Sequence, residues 1–104
     1  MQPAATAHFK IAFDKGLKIA GAFGDCTKTI AQSIASDSPI QGGARVLEAI
    51  YDSGGAAMAV EDDDILEAMR DLAREGIAAE PSSASTVAAF KQAYNNGLIK
   101  SNET

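Results

Sequence analysis

The sequence predicts an α/β fold, in which helices pack on a small parallel or mixed β-sheet. Segments with the helical period of hydrophobic residues alternate with short apolar runs that fit buried strands. Glycine and proline residues mark the joints between these segments. The chain has 104 residues, of which 46% are hydrophobic. That is enough for one domain with a modest core, so we expect residues 1–104 to form a single domain.

The first half of the chain predicts a helix near each end and is ambiguous between them. Residues 4–15 predict a helix, because its phenylalanines lie four apart on one face and Gly16 follows as a C-cap. Residues 43–53 predict a second helix. Residues 17–19 fit a short strand, and residues 29–34 fit either a helical turn or a strand.

The strongest helical pattern lies in the second half. Residues 56–60, Ala-Ala-Met-Ala-Val, form a short apolar run that fits a buried strand. Residues 63–75 then carry hydrophobic side chains at helical spacing, and Gly76 ends the pattern. We expect Asp62 to be the N-cap of this helix, because a short carboxylate satisfies free backbone N–H groups there.

The last segments predict one more strand and one more helix. Residues 77–80 fit a short strand, and Pro81 keeps Glu80 out of helical geometry. Ser82 or Ser83 fits the N-cap of the final helix. The alternation of strands and helices implies parallel pairing through right-handed crossovers, with the helices on the faces of the sheet.

Charge and hydropathy argue against several classes of function. The formal net charge is −5, and the lysines and arginines are scattered, so the sequence does not favour nucleic-acid binding. No run approaches the ~18 apolar residues of a membrane span. The first residues lack the basic start and apolar run of a signal peptide. We therefore expect a cytoplasmic protein that binds neither nucleic acid nor membrane.

The residues that most often carry chemistry are few and isolated. His8, the single histidine, has no acid or nucleophile beside it in the sequence. Cys26, the single cysteine, cannot form an internal disulfide, and together with one histidine it makes too small a zinc ligand set. The acidic run 61–64 fits a helix start, because consecutive helical residues point in different directions. The sequence predicts no catalytic residue and no metal site.

An ordered series of motifs runs from residue 53 to residue 90. It comprises Ser53-Gly54-Gly55, an Ala/Val strand, Asp62-Asp63-Asp64-Ile65-Leu66-Glu67-Ala68, Leu72-Ala73-Arg74-Glu75-Gly76-Ile77 and Glu80-Pro81-Ser82-Ser83-Ala84. This series resembles the C-terminal segment of threonine-synthase-like, fold-type II enzymes that depend on pyridoxal phosphate (PLP). The earlier residues fit too, since 2–16 resemble the strand end and helix that follow the family's phosphate loop. The resemblance implies a partial Rossmann-like fold-type II domain.

The resemblance also implies a place for one residue in the cofactor site. In this family a hydroxyl or thiol residue two positions after the proline hydrogen-bonds the pyridine nitrogen of PLP. Here that position is Ser83, which would be a vestigial cofactor-binding residue. A neutral hydroxyl there disfavours a protonated pyridinium, so the protein tunes the electronics of the ring. From the residue alone, a plain helix N-cap is the favoured interpretation of Ser83, and only the resemblance points to the cofactor.

Two parts of the family's site have no match in these residues. The Schiff-base lysine and the glycine-rich phosphate loop belong to more N-terminal portions of the family fold. We therefore expect no PLP in the isolated chain, which would be an inactive, truncated remnant that supplies one wall of the cofactor site. Its partner would be the missing N-terminal portion in trans, or a second copy in a homodimer.

Two alternatives stay open at this point. The chain could be a stand-alone, self-associating binding or assembly module without PLP chemistry, because exposed strand edges and apolar helix faces need covering. It could also be a small α/β domain that binds an anionic metabolite at the helix start formed by residues 82–85.

Overall fold

The structure, a computed structural model, describes residues 1–103. Within them, four α-helices accompany a two-stranded parallel sheet, so the α/β prediction is confirmed. In chain order the elements are β1 (Gln2–Pro3), α1 (His8–Asp14), α2 (Ala44–Asp52), β2 (Ala59–Val60), α3 (Asp62–Arg74) and α4 (Pro81–Asn95). Short 3₁₀ turns occupy Ala4–Thr6, Cys26–Lys28, Gln32–Ile34 and Ile40–Gly43.

The small sheet joins the two halves of the chain. Gln2 lies beside Ala59 and Pro3 beside Val60, and both strands run in the same direction. The backbone N–H of Gln2 donates to the carbonyl of Met58 at 2.8 Å. A parallel pair needs a long crossover connection, and here residues 4–58 supply it.

Helix α1 begins later than the sequence predicted. Ala7, at φ −82° and ψ 46°, is not helical, so the predicted helix 4–15 divides into a 3₁₀ turn and α1. The side chain of Gln2 replaces the missing cap: its Oε1 accepts hydrogen bonds from the backbone N–H groups of Phe9, at 2.8 Å, and Lys10, at 3.2 Å. The start of α1 is therefore fixed by a residue of β1.

Two predicted strands do not form within the described residues. Residues 17–19 are a bend, and residues 77–80 are an irregular link between α3 and α4. Neither segment has a strand beside it, and a strand without a partner leaves its backbone groups unpaired. The ambiguous stretch 29–34 contains the 3₁₀ turn at its end, and the predicted helix 43–53 is α2.

The buried hydrophobic residues form two separate clusters. The first lies between α3, α4 and β2 and comprises Ala31, Val60, Ile65, Ala68, Ala84, Ala88 and Ala89. The second lies under α1 and α2 and comprises Ala12, Ala20 and Leu47, with Phe9 and Phe13 packed against it. The described chain is flat, with extents of 40 × 36 × 17 Å. A thin shape leaves many large apolar side chains on the surface.

Hydrophobic surface is spread over loops and helices rather than gathered in one long segment. No helix among residues 1–103 is both long enough and apolar enough to cross a membrane. The large side chains exposed by more than a third include Ile19, Phe23 and Ile40 of the long loop between α1 and α2. Others lie on α4 and after it, at Phe90, Tyr94 and Leu98.

Candidate functional site

The candidate site is the start of α4, residues 80–85, because the sequence placed its one cofactor-binding residue there. Glu80 is the N-cap residue, with extended backbone at φ −70° and ψ 160°, and Pro81 is the first helical residue. The expected effect of Pro81 on Glu80 is confirmed. The expected cap by Ser82 or Ser83 is wrong, because both serines lie inside the first helical turn.

The serines of this turn face in different directions. Ser82 is buried, and its Oγ has no hydrogen-bond partner among the described residues. Ser85 is also buried, and its Oγ donates to the carbonyl of Ser82 at 2.5 Å. Ser83 is exposed, and within residues 1–103 the one side-chain hydrogen bond at this residue runs from Thr86 Oγ1 to its carbonyl, at 2.7 Å. The hydroxyl of Ser83 is therefore open to a ligand approaching from solvent.

The positive end of α4 adds to the polarity of this surface. The first backbone N–H groups of a helix have no partner within it, and they carry partial positive charge. Pro81 has no N–H, and the N–H of Ala84 is bonded to the carbonyl of Glu80 at 2.9 Å. The backbone N–H groups between them, at Ser82 and Ser83, are the free donors by helical geometry.

A loop that is distant in sequence also contacts the start of α4. Ser33, in the 3₁₀ turn Gln32–Ile34, donates from its Oγ to the carboxylate of Glu80 at 3.3 Å. Ala31, just before that turn, is fully buried in the first hydrophobic cluster with residues of α4. This contact could not be predicted from local patterns, because Ser33 and Glu80 are separated by 47 residues.

Asp62 secures that loop instead of capping α3. Glu61 is the N-cap residue of α3, so the predicted cap at Asp62 is wrong. The Asp62 carboxylate accepts hydrogen bonds from Thr29 Oγ1, at 2.6 Å, and from the backbone N–H of Ile30, at 3.0 Å. Thr29 is buried, so this charged link lies partly inside the protein. Asp62 thereby holds the loop against α3 and beside the start of α4.

Two of the lysines pair with a carboxylate, and the others lie on the surface. Lys91 contacts the carboxylate of Asp71, and this hydrogen bond raises the pKa of Lys91 and lowers the pKa of Asp71. Lys10 pairs with Asp14 at 2.5 Å on the surface of α1. The remaining lysines are exposed: Lys15, Lys18, Lys28 and Lys100.

His8 is a buried, structural residue at the beginning of α1. The residue is 3% exposed. The Nε2 atom of its ring lies 3.2 Å from the side-chain amide nitrogen of Gln2. The same amide nitrogen also donates to the carbonyl of Thr6. Since the amide nitrogen can only donate, His8 Nε2 accepts and its proton resides on Nδ1. Burial lowers the pKa of His8, while the nearby Asp37 carboxylate opposes that shift. The contacts of Gln2 with His8 and with the start of α1 were not predicted, because no local sequence pattern indicates them.

Cys26 and the acidic residues show no ligand cluster. Cys26 is partly buried, and its carbonyl accepts a hydrogen bond from Gln32 Nε2 at 2.8 Å. Within residues 1–103 no group of three histidine, cysteine, aspartate or glutamate residues is arranged to hold a metal ion.

Comparison with known proteins identifies the family of this chain. The sequence profile described as PALP, pyridoxal-phosphate dependent enzyme, matches residues 1–104. The chain belongs to this family of pyridoxal-phosphate dependent enzymes. The resemblance seen in residues 53–90 is confirmed.

Two curated relatives are threonine synthases. The chain is 46% identical over 77 residues to the threonine synthase of Methanocaldococcus jannaschii and 42% identical over 78 residues to that of Methanosarcina acetivorans. These alignments cover 73% and 74% of this chain and 19% of each relative. The chain therefore spans about a fifth of the length of the curated relatives it matches. No solved structure matches it significantly.

The described residues that would face PLP lie at the start of α4. The hydroxyl of Ser83 is exposed there, and the backbone N–H groups of Ser82 and Ser83 are free by helical geometry. Lys91 of the same helix contacts the Asp71 carboxylate, which raises the pKa of Lys91 and opposes the unprotonated amine with which the aldehyde of PLP reacts.

Proposed function

We propose that this chain works as one segment of a threonine-synthase-like PLP enzyme and is inactive without the rest of that fold. The observation that carries the proposal is the family match over residues 1–104, combined with a span of about a fifth of the relatives. The reaction of the complete enzyme would be replacement or elimination on an amino acid, such as the conversion of O-phosphohomoserine to threonine.

Within that enzyme, the segment would supply one wall of the cofactor site. Ser83 would hydrogen-bond the pyridine nitrogen, as the family resemblance implies. Its exposed hydroxyl and its place in the first turn of a 15-residue helix support this role. A neutral hydroxyl together with the positive end of α4 disfavours protonation of the ring nitrogen.

A chimera tests the proposal directly. This chain replaces the matched stretch of the M. jannaschii threonine synthase, and PLP content and threonine formation from O-phosphohomoserine are measured. We expect the chimera to bind PLP and form threonine, while the isolated chain does neither. A chimera that folds, judged by cooperative unfolding, but forms no threonine would contradict the proposal.

The role of Ser83 is tested separately in the same chimera. Ser83→Ala should lower kcat by about tenfold or more, as expected when a group that tunes the reacting ring is lost. Tyr94→Phe, which removes another exposed hydroxyl of α4 that does not contact Ser83, is the matched control and should leave kcat within about twofold of the parent. Equal kcat in the two variants would remove Ser83 from the site and leave the segment proposal standing.

A second candidate function is a self-associating assembly module without PLP chemistry. The exposed apolar side chains favour it, above all Ile40, which is 89% exposed. A homodimer in sedimentation equilibrium, together with an inactive chimera, would favour this candidate over the first. The cytoplasmic location expected from the sequence also stays a prediction.

A further inference from the structure

The loop between α1 and α2 is irregular in secondary structure, yet hydrogen bonds fix its course. Its two arms, residues 20–23 and 37–42, run in opposite directions. The N–H of Ala20 donates to the carbonyl of Gly42 at 2.8 Å, and the N–H of Phe23 donates to that of Asp37 at 2.8 Å. At the far end of the arms, the N–H of Asp25 donates to the carbonyl of Ala5 at 3.2 Å.

The turn at the base of the arms is held in an uncommon conformation. Gln41, Gly42 and Gly43 all have positive φ, at 51°, 68° and 60°. This region is disfavoured for a residue with a side chain, such as Gln41. Close packing fixes the turn, since a Cβ on Gly42 would lie 2.4 Å from Ile19 Cγ2 and one on Gly43 would lie 2.0 Å from Phe9 Cε1.

This fixed loop holds large apolar side chains in solvent. Ile40, directly before the turn, is 89% exposed, Ile19 is 62% exposed and Phe23 is 44% exposed. Ile19 packs against Gly42, two residues after Ile40, and Phe23 is hydrogen-bonded to the arm that leads to Ile40. A defined backbone that presents aliphatic and aromatic groups to water is typical of a surface that a protein partner covers.

We propose that Ile19, Phe23 and Ile40, which lie on or directly beside the paired arms of this loop, form a docking surface for the part of a threonine-synthase-like fold that lies outside the matched stretch. This inference rests on the proposed function. The family profile covers residues 1–104, so the loop belongs to the family fold. Most of the length of each relative lies outside its matched stretch, and that polypeptide is the occupant to which we commit.

A second copy of the chain fits the surface less well. Each copy has a formal net charge of −5, so self-association brings two acidic molecules together. The arm that carries Ile40 also contains Asp37, which would approach the partner copy in a symmetric pairing.

The test places one substitution in two settings. Ile40→Ser is made in the isolated chain and in the chimera with the M. jannaschii relative, and Tm is measured for each. In the isolated chain we expect no change, because the side chain is already in water. In the chimera we expect Tm to fall by about 2 °C or more, since the substitution removes buried apolar surface there. Leu66→Ser, at a position on α3 that is 38% exposed, is the control and should lower Tm in both proteins, without the contrast between the two settings that is expected for Ile40→Ser.

The outcomes separate this inference from the proposed function. A chimera that forms threonine and whose Tm is insensitive to Ile40→Ser overturns the docking surface and leaves the function intact. A chimera that folds and is sensitive to Ile40→Ser but forms no threonine supports the docking surface and overturns the function. Sedimentation gives an independent readout: an isolated chain that is dimeric, and becomes monomeric with Ile40→Ser, shows that the occupant is a second copy and overturns the inference.

Discussion

The two halves of this chain are stabilised in different ways. In the C-terminal half, the small side chains of α4 let it pack closely on α3, and together with Val60 and Ile65 they form the larger buried cluster. In the N-terminal half, the buried hydrophobic cluster under α1 and α2 is smaller and comprises Ala12, Ala20 and Leu47. Regular helices with complementary faces stabilise the C-terminal half, whereas close backbone contacts at glycines stabilise the N-terminal half. The N-terminal half therefore depends more on contacts outside its own secondary structure.

The ion pairs also differ between the two halves: one joins two helices in the C-terminal half, whereas that of the N-terminal half lies within one helix. Asp71 of α3 pairs with Arg74 of its own helix at 2.6 Å and with Lys91 of α4, so an ion pair links the two helices. In residues 1–103 the one corresponding pair of the N-terminal half, Lys10 with Asp14, lies within α1. Such exposed pairs contribute little to stability, so the difference in apolar burial carries more weight.

The largest expected change in the free energy of unfolding comes from truncating one fully buried side chain in each hydrophobic cluster. Ile65→Ala should lower the free energy of unfolding by about 3 kcal/mol, because Ile65 is fully buried in the larger cluster. Leu47→Ala, also at a fully buried position, should cost about 2 kcal/mol, since fewer buried residues surround it and the site can collapse more readily. Urea unfolding measures both values.

Leu66→Ala is the control for this comparison, because Leu66 neighbours Ile65 on α3 but is partly exposed. Its cost should be below about 1 kcal/mol. A greater loss from Leu47→Ala than from Ile65→Ala would reverse the ranking of the two halves.

The next effect tests the close backbone contacts of the N-terminal half. A Cβ on Gly24 would lie 1.7 Å from the carbonyl oxygen of Ala5, so Gly24→Ala should cost about 2 kcal/mol or more. Gly97→Ala is the matched control, since Gly97 also has positive φ but open space around it. That control should cost about 1 kcal/mol. Similar urea midpoints for the two variants would show that the loop is not held by this contact.

A smaller effect tests the link between the loop and α3. Asp62→Asn removes the charge that accepts from Thr29 Oγ1 and the Ile30 N–H, and should cost about 1–2 kcal/mol. Faster amide hydrogen exchange at Ile30 is the local readout. Asp63→Asn is the control, because Asp63 is an exposed neighbour in the same helical turn. Unchanged exchange at Ile30 in the Asp62 variant would argue against the link.

The smallest effect is the pH dependence of His8. Burial lowers the pKa of His8 from its ordinary value of 6.5, so the unfolded state binds the proton more readily than the folded state. The free energy of unfolding should therefore fall as the pH decreases below about 6.5 and be fully retained above it. Urea unfolding at about pH 7.5 and about pH 5, in the parent and in His8→Gln, isolates this contribution. Equal pH dependence in both proteins would show that His8 titrates as in the unfolded chain.

The elements of the fold that depend on local signals were predicted better than those that depend on a distant partner. Helices α3 and α4 were predicted to within a few residues, because hydrophobic spacing and the glycine and proline signals are local. The strands predicted at 17–19 and 77–80 were wrong, because a strand is stable only with a neighbour and the sequence does not state which neighbour is present. The helix predicted at 4–15 was too long, because its start is set by the side chain of Gln2 rather than by the residues beside it.

The candidate site was only partly accessible from sequence. The family was predicted correctly from an ordered series of motifs, and the structure places Ser83 at an exposed position. The contacts that surround the site, from Ser33 to Glu80 and from Thr29 to Asp62, join residues far apart in the chain. Such contacts leave no periodic pattern. The role of Ser83 stays a prediction.

A visible-absorbance titration with PLP tests whether this segment needs the rest of the fold. The isolated chain is titrated, dialysed, reduced with borohydride and mapped for labelled peptides. We expect weak labelling spread over several lysines, as is typical of surface amines. A stoichiometric absorbance band that survives dialysis, with the label on one lysine, would contradict this expectation and show that the segment holds PLP by itself.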